Sequence, residues 1–340
     1  MISYLYTMPN AIDIQDRIFE KIKHLLPEDT SFVDELALQL GISNDSAYRR
    51  IRGEKLLSIE ELLKLGTAYH ISFDSLLRND LHNVSFDYRS INGNISFEAY
   101  FNSILENLKL VASFDKKALI YMAKDLPLVQ YFEYSKITAF KLFFWYKTIL
   151  EDPKFSGDTY DPSLLPNSIF EIGIQIRGAY LKIPSIEIWN KESINSTLNQ
   201  IEFYYDCGYF KDDNLLESIF EELKQLILHI KKDAGLGYKT SMVHPSTKDK
   251  ENYKLYCNDI TIGDNTIFFD MGDRKVANIT HNVLNILTTS NPKFCKETHN
   301  ALKNIIKKSE LISVVSEKQR NKFFSVILLK IETLRAKIFG

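Results

Sequence analysis

The chain has 340 residues, enough for about two domains at roughly 150 residues each. Its 45% hydrophobic and 25% charged content, with only 13 glycines and 9 prolines, excludes a linker-rich or disordered chain. Net charge is −2 overall but uneven: −4 over residues 1–80, −5 over 81–292 and +7 over 293–340.

Three cysteines, Cys207, Cys257 and Cys295, fall in no CxxC pair, so neither a disulfide framework nor a thiolate zinc site is expected. The first ten residues lack a basic start followed by an apolar run. The most apolar stretch, Leu142 to Tyr146, is flanked by Lys141 and Lys147 and falls far short of the ~20 residues of a membrane helix. A soluble cytoplasmic protein without a membrane partner is the expectation.

Residues 10–78 read as five short helices. Ile14, Ile18, Ile22 and Leu25 form a helical stripe ended by Pro27. Ser31 caps a helix with Leu36, Ala37 and Leu40 on its inner face, and Gly41 closes it. Ser43 caps the next, stopped by Gly53. Ser58-Ile59-Glu60-Glu61 is a capping box that opens a fourth, and Ser72-Phe73-Asp74 starts a fifth that ends near Leu77.

Residues 81–96 read as a connector, with a strand or extended stretch at 84–91. Helices are expected at 97–113, 116–124, 135–150, 167–182, 190–206 and 213–233, and a loop at 234–252. A small antiparallel meander follows (253–262, 266–271, 275–280), then helices at 282–289, 293–308 and 317–338, the last introduced by Ser316-x-x-Gln319. The expected fold is mainly α. Residues 1–80 are expected to form a first helical domain, 97–233 a larger helical domain, and 253–340 a small β element with C-terminal helices.

The informative stretch is Phe32 to Gly53. Two short helices are joined by Gly41-Ile42-Ser43, where glycine permits a left-handed backbone, small Ala37 lets the helices cross closely, and Ile42 plugs the corner. The second helix of such a unit can enter a DNA major groove. Leu36-Ala37, Gly41-Ile42-Ser43 and Arg52-Gly53, followed by a capped fourth helix, resemble the Cro/repressor-like (Xre-type) helix-turn-helix family, lambda-repressor-like in fold, over residues 10–78. The family places an apolar residue three positions after Ala47. Here Arg50 stands there and Ile51 follows, so two rotations of the helix are compatible with the sequence.

The resemblance implies base-edge contacts from Asn44, Asp45, Tyr48, Arg49 and Arg52, and phosphate contacts from Gln39, Arg50 and Lys55. Double-stranded DNA is the implied partner, and a homodimer follows because one such domain covers half a site. An effector of unknown kind is compatible with the large second region. The reading is a sequence-specific transcriptional regulator without cofactor, metal or catalytic residues. The alternatives are a phage-type repressor, an antitoxin-like protein, or an enzyme in residues 97–340 delivered to DNA.

Elsewhere, Cys295 and His299 sit four apart with His281 upstream but no fourth ligand, and Asp264, Asp270 and Asp273 lie where turns favour aspartate. The apolar helix 135–150 and the stripe Phe323, Phe324, Ile327, Leu328, Ile331 and Leu334 are candidates for core or dimer contact.

Overall fold

The structure, a computed structural model, describes residues 10–27, 30–69, 71, 84–89, 91, 96–244, 251–259 and 262–340. The chain divides into two compact units, Met1–Ser85 and Phe86–Gly340.

In the first unit, α1 (Ala11–Leu25), α2 (Phe32–Leu40), α3 (Asn44–Ile51) and α4 (Ile59–Ala68) each begin at a side-chain cap: Asn10, Ser31, Ser43 and Ser58. Their apolar faces meet in one core, with Ile18, Phe19 and Ile22 against Leu36, Leu40, Ala47 and Leu65. The expected helix at 72–77 lies outside the described residues.

The second unit corrects the fold class. Instead of a small antiparallel element, eight strands form one mixed sheet: β1 (Asp87–Arg89), β2 (Ala118–Ala123), β3 (Ser185–Trp189), β4 (Tyr253–Cys257), β5 (Thr266–Met271), β6 (Arg274–His281), β7 (Asn285–Thr289) and β8 (Glu310–Leu311). Their order is β1-β7-β6-β5-β2-β3-β4-β8. The stretches expected as helices at 116–124 and 282–289 are β2 and β7, and the helix expected from 190 starts at Asn195, after β3. β4 is no hairpin partner of β5. It runs parallel to β3, Ser185 opposite Tyr253, and β3 runs parallel to β2, Leu119 opposite Ser185.

Parallel strands need long crossovers, and helices supply them. α6 (Ser135–Phe144, continued by a π-helical turn Trp145–Ile149) and α7 (Asn167–Leu181) lie between β2 and β3; α8 (Asn195–Asp206) and α9 (Asp213–Leu236) lie between β3 and β4. With α5 (Phe97–Ser113) and α11 (Glu317–Phe339), these helices pack over one sheet face, presented by Leu119, Tyr121, Trp189 and Leu255. α10 (Pro292–Lys307) covers the other, placing Cys295 and Leu302 on Ile120, Ile188 and Phe268. Segments 97–233 and 253–340 thus build one sheet.

The two stripes considered for dimer contact are used up internally. Ile137 to Phe144 of α6 are all buried, and Phe323, Phe324, Ile327, Ile331 and Leu334 of α11 belong to the same core. Ser316 does not cap α11: its backbone is left-handed (φ 57°) and its side chain makes no capping bond.

A buried polar network joins the end of α7 to β3. Glu187 accepts hydrogen bonds from the Tyr180 hydroxyl, from Gln130 at 2.8 Å and from Tyr253 at 3.0 Å. Lys239 donates to the Tyr180 carbonyl and to Ser185 Oγ, both at 2.8 Å, and to the Ile183 carbonyl. Its amine caps the negative end of α7 just where the chain turns into β3. Burial pushes the Glu187 carboxyl above its usual range and the Lys239 amine well below its own. Arg177 reaches Gln130 (2.8 Å) and lies 3.8 Å from both Glu133 and Asp233.

Replacing Lys239 by Met strands these acceptors, and a buried acceptor left without a partner costs roughly 1–3 kcal/mol. Lys239→Met is therefore expected to lower stability by about 2 kcal/mol, read from urea unfolding of the full chain. An unchanged midpoint would remove this lysine from the supports of the α7–β3 junction.

Candidate nucleic-acid interface

The turn between α2 and α3 has the local geometry its residues dictate. Gly41 is left-handed (φ 66°, ψ 41°), and the Ile42 N–H returns to the Ala37 carbonyl at 3.0 Å, closing α2. Ser43 then accepts from the Ser46 N–H at 3.3 Å and starts α3.

The rotation of α3 follows from two buried positions three apart, Ala47 (0% exposed) and Arg50 (3%). Arg50 occupies a site where helical periodicity calls for a hydrocarbon, and each of its three guanidinium nitrogens is hydrogen-bonded: Nε and Nη2 bond Glu61 at 3.2 and 2.6 Å, and Nη1 bonds the Ser46 carbonyl at 2.9 Å. Arg50, expected to contact phosphate, is buried and directs its hydrogen bonds to Glu61 and the Ser46 carbonyl. Burial opposes the Glu61 charge, but the Arg50 bonds and the Ser58 N–H outweigh it and hold the carboxyl below its ordinary value. The same carboxylate closes the α4 capping box through the Ser58 N–H at 2.9 Å.

With that face inward, Asn44, Asp45, Tyr48, Arg49 and Arg52 are all exposed, on the opposite side. Gln39 and Lys55 are exposed as well. Several already have partners. Asn44 donates to Asp34 at 2.7 Å and Gln39 to Glu35 at 3.0 Å, while Glu54 lies 3.7 Å from Arg49 and 2.8 Å from Arg52.

Two supporting residues escaped the sequence reading. Glu61 reads in the sequence only as part of a capping box. Gln15 is 2% exposed and clamps the α3–α4 connection to α1, donating to the carbonyls of Arg50 (2.8 Å) and Lys55 (3.1 Å) and accepting from the Leu57 N–H (2.6 Å). Its signal was positional: with Ile18, Phe19 and Ile22 it completes an i, i+3, i+4, i+7 stripe, so its amide had to be buried and hydrogen-bonded.

The other candidates have ordinary surroundings. Cys295 is buried with Sγ near the Lys275 and Thr289 carbonyls, and His299 stacks on Phe268. Among the described residues no helix is long and apolar enough to cross a membrane. No known protein family, no curated protein and no solved structure matches the chain.

Arg50→Met leaves Glu61 without its cation and is expected to cost about 2–3 kcal/mol, whereas the double variant Arg50→Met/Glu61→Met recovers most of it. Because the Glu61 carboxyl is held below 4.5, its contribution is complete above that pH and is lost as pH falls through the depressed value. Hydrogen exchange of α3 and α4 amides reads both effects. Additive single losses in the double variant would contradict the coupling.

Proposed function

We propose that this protein is a sequence-specific DNA-binding regulator of transcription that acts in the cytoplasm as a homodimer, without catalysis of its own. The observation that carries the reading is the rotation of α3. Ala47 and Arg50 turn inward, which leaves Asn44, Asp45, Tyr48, Arg49 and Arg52 together on one exposed face of a short helix that follows a tight turn.

Each exposed residue has a chemical role available. Arg49 and Arg52 offer bidentate donors for guanine O6 and N7, Asn44 matches adenine, and Asp45 accepts from cytosine N4. Tyr48 presents a ring edge and a hydroxyl. Gln39 and Lys55 flank this face and suit phosphate oxygens, which set position without reading sequence. One recognition helix reads half a site, so two copies would be needed about one DNA turn, ~34 Å, apart.

Selection from a random duplex pool with the full-length protein tests the reading. An enriched, two-fold-related motif bound far more tightly than its scrambled version supports it, and equal binding to both rejects it. On the selected duplex, Arg49→Ala should weaken binding by about 1–3 kcal/mol and relax one base position, while Lys55→Ala should weaken all duplexes alike and reduce the salt slope by about one. Glu54→Gln frees both arginines and should tighten binding to every duplex by about 0.5 kcal/mol. Fluorescence anisotropy over a salt series measures all three variants.

A further inference from the structure

Within the second unit, between the helical layer and the sheet, lies a cavity of about 200 Å³ whose wall includes Tyr100 of α5, Tyr121 of β2, Ile176 of α7 and Phe269 of β5. A dry cavity of about 150 Å³ takes up benzene, so this one has room for a ligand of roughly ten non-hydrogen atoms. Most of the lining is hydrocarbon or aromatic ring, with one cation among it, Lys141 of α6.

Lys141 differs from the other buried cations. Arg50 meets Glu61, Arg177 lies beside Glu133 and Asp233, and Lys239, without a carboxylate partner, has an acceptor for each of its three N–H donors. Lys141 is 5% exposed, and its amine has two hydrogen-bond acceptors, both neutral, Gln200 Oε1 at 2.6 Å and Thr197 Oγ1 at 3.4 Å. An ammonium has three N–H donors, so one is left without a hydrogen bond, although the amine also lies 5.7 Å from the centroid of the Tyr131 ring. Burial pushes the amine down to about 8, against the field of Asp125, which favours its charge.

A donor with no hydrogen bond at all stands near it. The indole of Trp145, also on the cavity wall and 7% exposed, has its Nε1–H buried without a hydrogen-bond partner, and its ring lies 5.6 Å from the Lys141 amine. A buried donor without an acceptor is costly, and this indole N–H together with an amine that has one N–H free of hydrogen bonds, both on the wall of one apolar cavity, suits an anion with a hydrocarbon body.

We propose that this cavity is a binding site for a small, mainly apolar carboxylic acid, whose carboxylate bridges the Lys141 ammonium and the Trp145 indole N–H while its body fills the aromatic and aliphatic remainder. The site stands independently of the DNA-binding reading. Asp125, the other charged residue on the wall, is half-buried, keeps part of its hydration, and stands beyond ion-pair distance from the amine.

Calorimetric titration of the full-length protein with octanoate, octan-1-ol and octylamine tests the claim, because the three share a chain and differ in charge. One octanoate per chain is expected, bound at least about tenfold more tightly than octan-1-ol, as a charge-assisted bond requires, with octylamine weakest. In Lys141→Met the acid should lose that preference while octan-1-ol still binds. Equal binding of acid and alcohol, preference for the amine, or no octanoate binding at millimolar concentration would overturn the proposal. The comparison on the unaltered chain decides the matter even if Lys141→Met does not fold.

Discussion

At Arg50 helical periodicity demands a hydrocarbon, and a guanidinium is tolerated there only because Glu61 lies across from it on α4. Isolated buried charge is expensive, so the pair determines both the rotation of α3 and its seat on α4. Glu61 has no freedom to move, since the same carboxylate receives the Ser58 N–H that begins α4. Gln15 adds a third attachment from α1 to the connection between the two helices. The exposed face of α3 is therefore a consequence of the buried one. What that face presents depends on three polar side chains that lie beneath it, Arg50, Glu61 and Gln15.

The second unit uses buried polar groups in a different way. Its sheet has parallel strands at the centre, so each helix must turn sharply into the next strand where carbonyls at the helix end have lost their partners. Lys239 meets that need at the α7–β3 turn, and Glu187 one pleat further on gathers Tyr180, Gln130 and Tyr253 from three other parts of the chain. These groups are mutually satisfied and act as fastenings. Lys141 and Trp145 are not satisfied by the protein alone. That difference, more than the size of the cavity, separates a structural polar cluster from a place where something can bind.

Local signals in the sequence located the first unit's helices because caps and a left-handed glycine act over a few residues. Ser31, Ser43 and Ser58 all accept the backbone N–H expected of a cap, and Gly41 has positive φ; the Asn10 cap of α1 is seen only in the structure. The role of Arg50 was not legible, since it depends on a carboxylate from another helix whose presence the capping box already explained. The sheet was hidden for a related reason. β2 reads Ala-Leu-Ile-Tyr-Met-Ala, is buried on both faces, and so lacks the polar alternation that marks a half-exposed strand. β4 alternates well enough to be found, but adjacency suggested pairing with β5, whereas its neighbour is β3, from much earlier in the chain. Non-local pairing leaves no mark within a window of a few residues.

Segment totals of charge are equally blind to pairing. Three cations of the basic C-terminal stretch are engaged by the helical layer it packs against: Arg335 with Glu217, Lys337 with Glu202, and Lys330 on the Lys191 carbonyl and Asn195. Such exposed pairs contribute little to stability, but they align α11 along α8 and α9 while its apolar stripe supplies the burial. The charges of α11 that are committed in this way are poorly placed to attract phosphate. On α3 the situation is reversed: an acidic segment contains a face with Arg49, Arg52 and Lys55 against Asp45 and Glu54. Attraction is screened beyond about 8–10 Å in physiological salt, so this local balance of three to two, and not the segment's −4, is what a phosphate would experience. A surplus that small gives weak sequence-independent binding. Under the proposed reading, affinity must then come from base-edge hydrogen bonds and from pairing two such faces, and a dimer becomes a requirement of the electrostatics as well as of the half-site geometry.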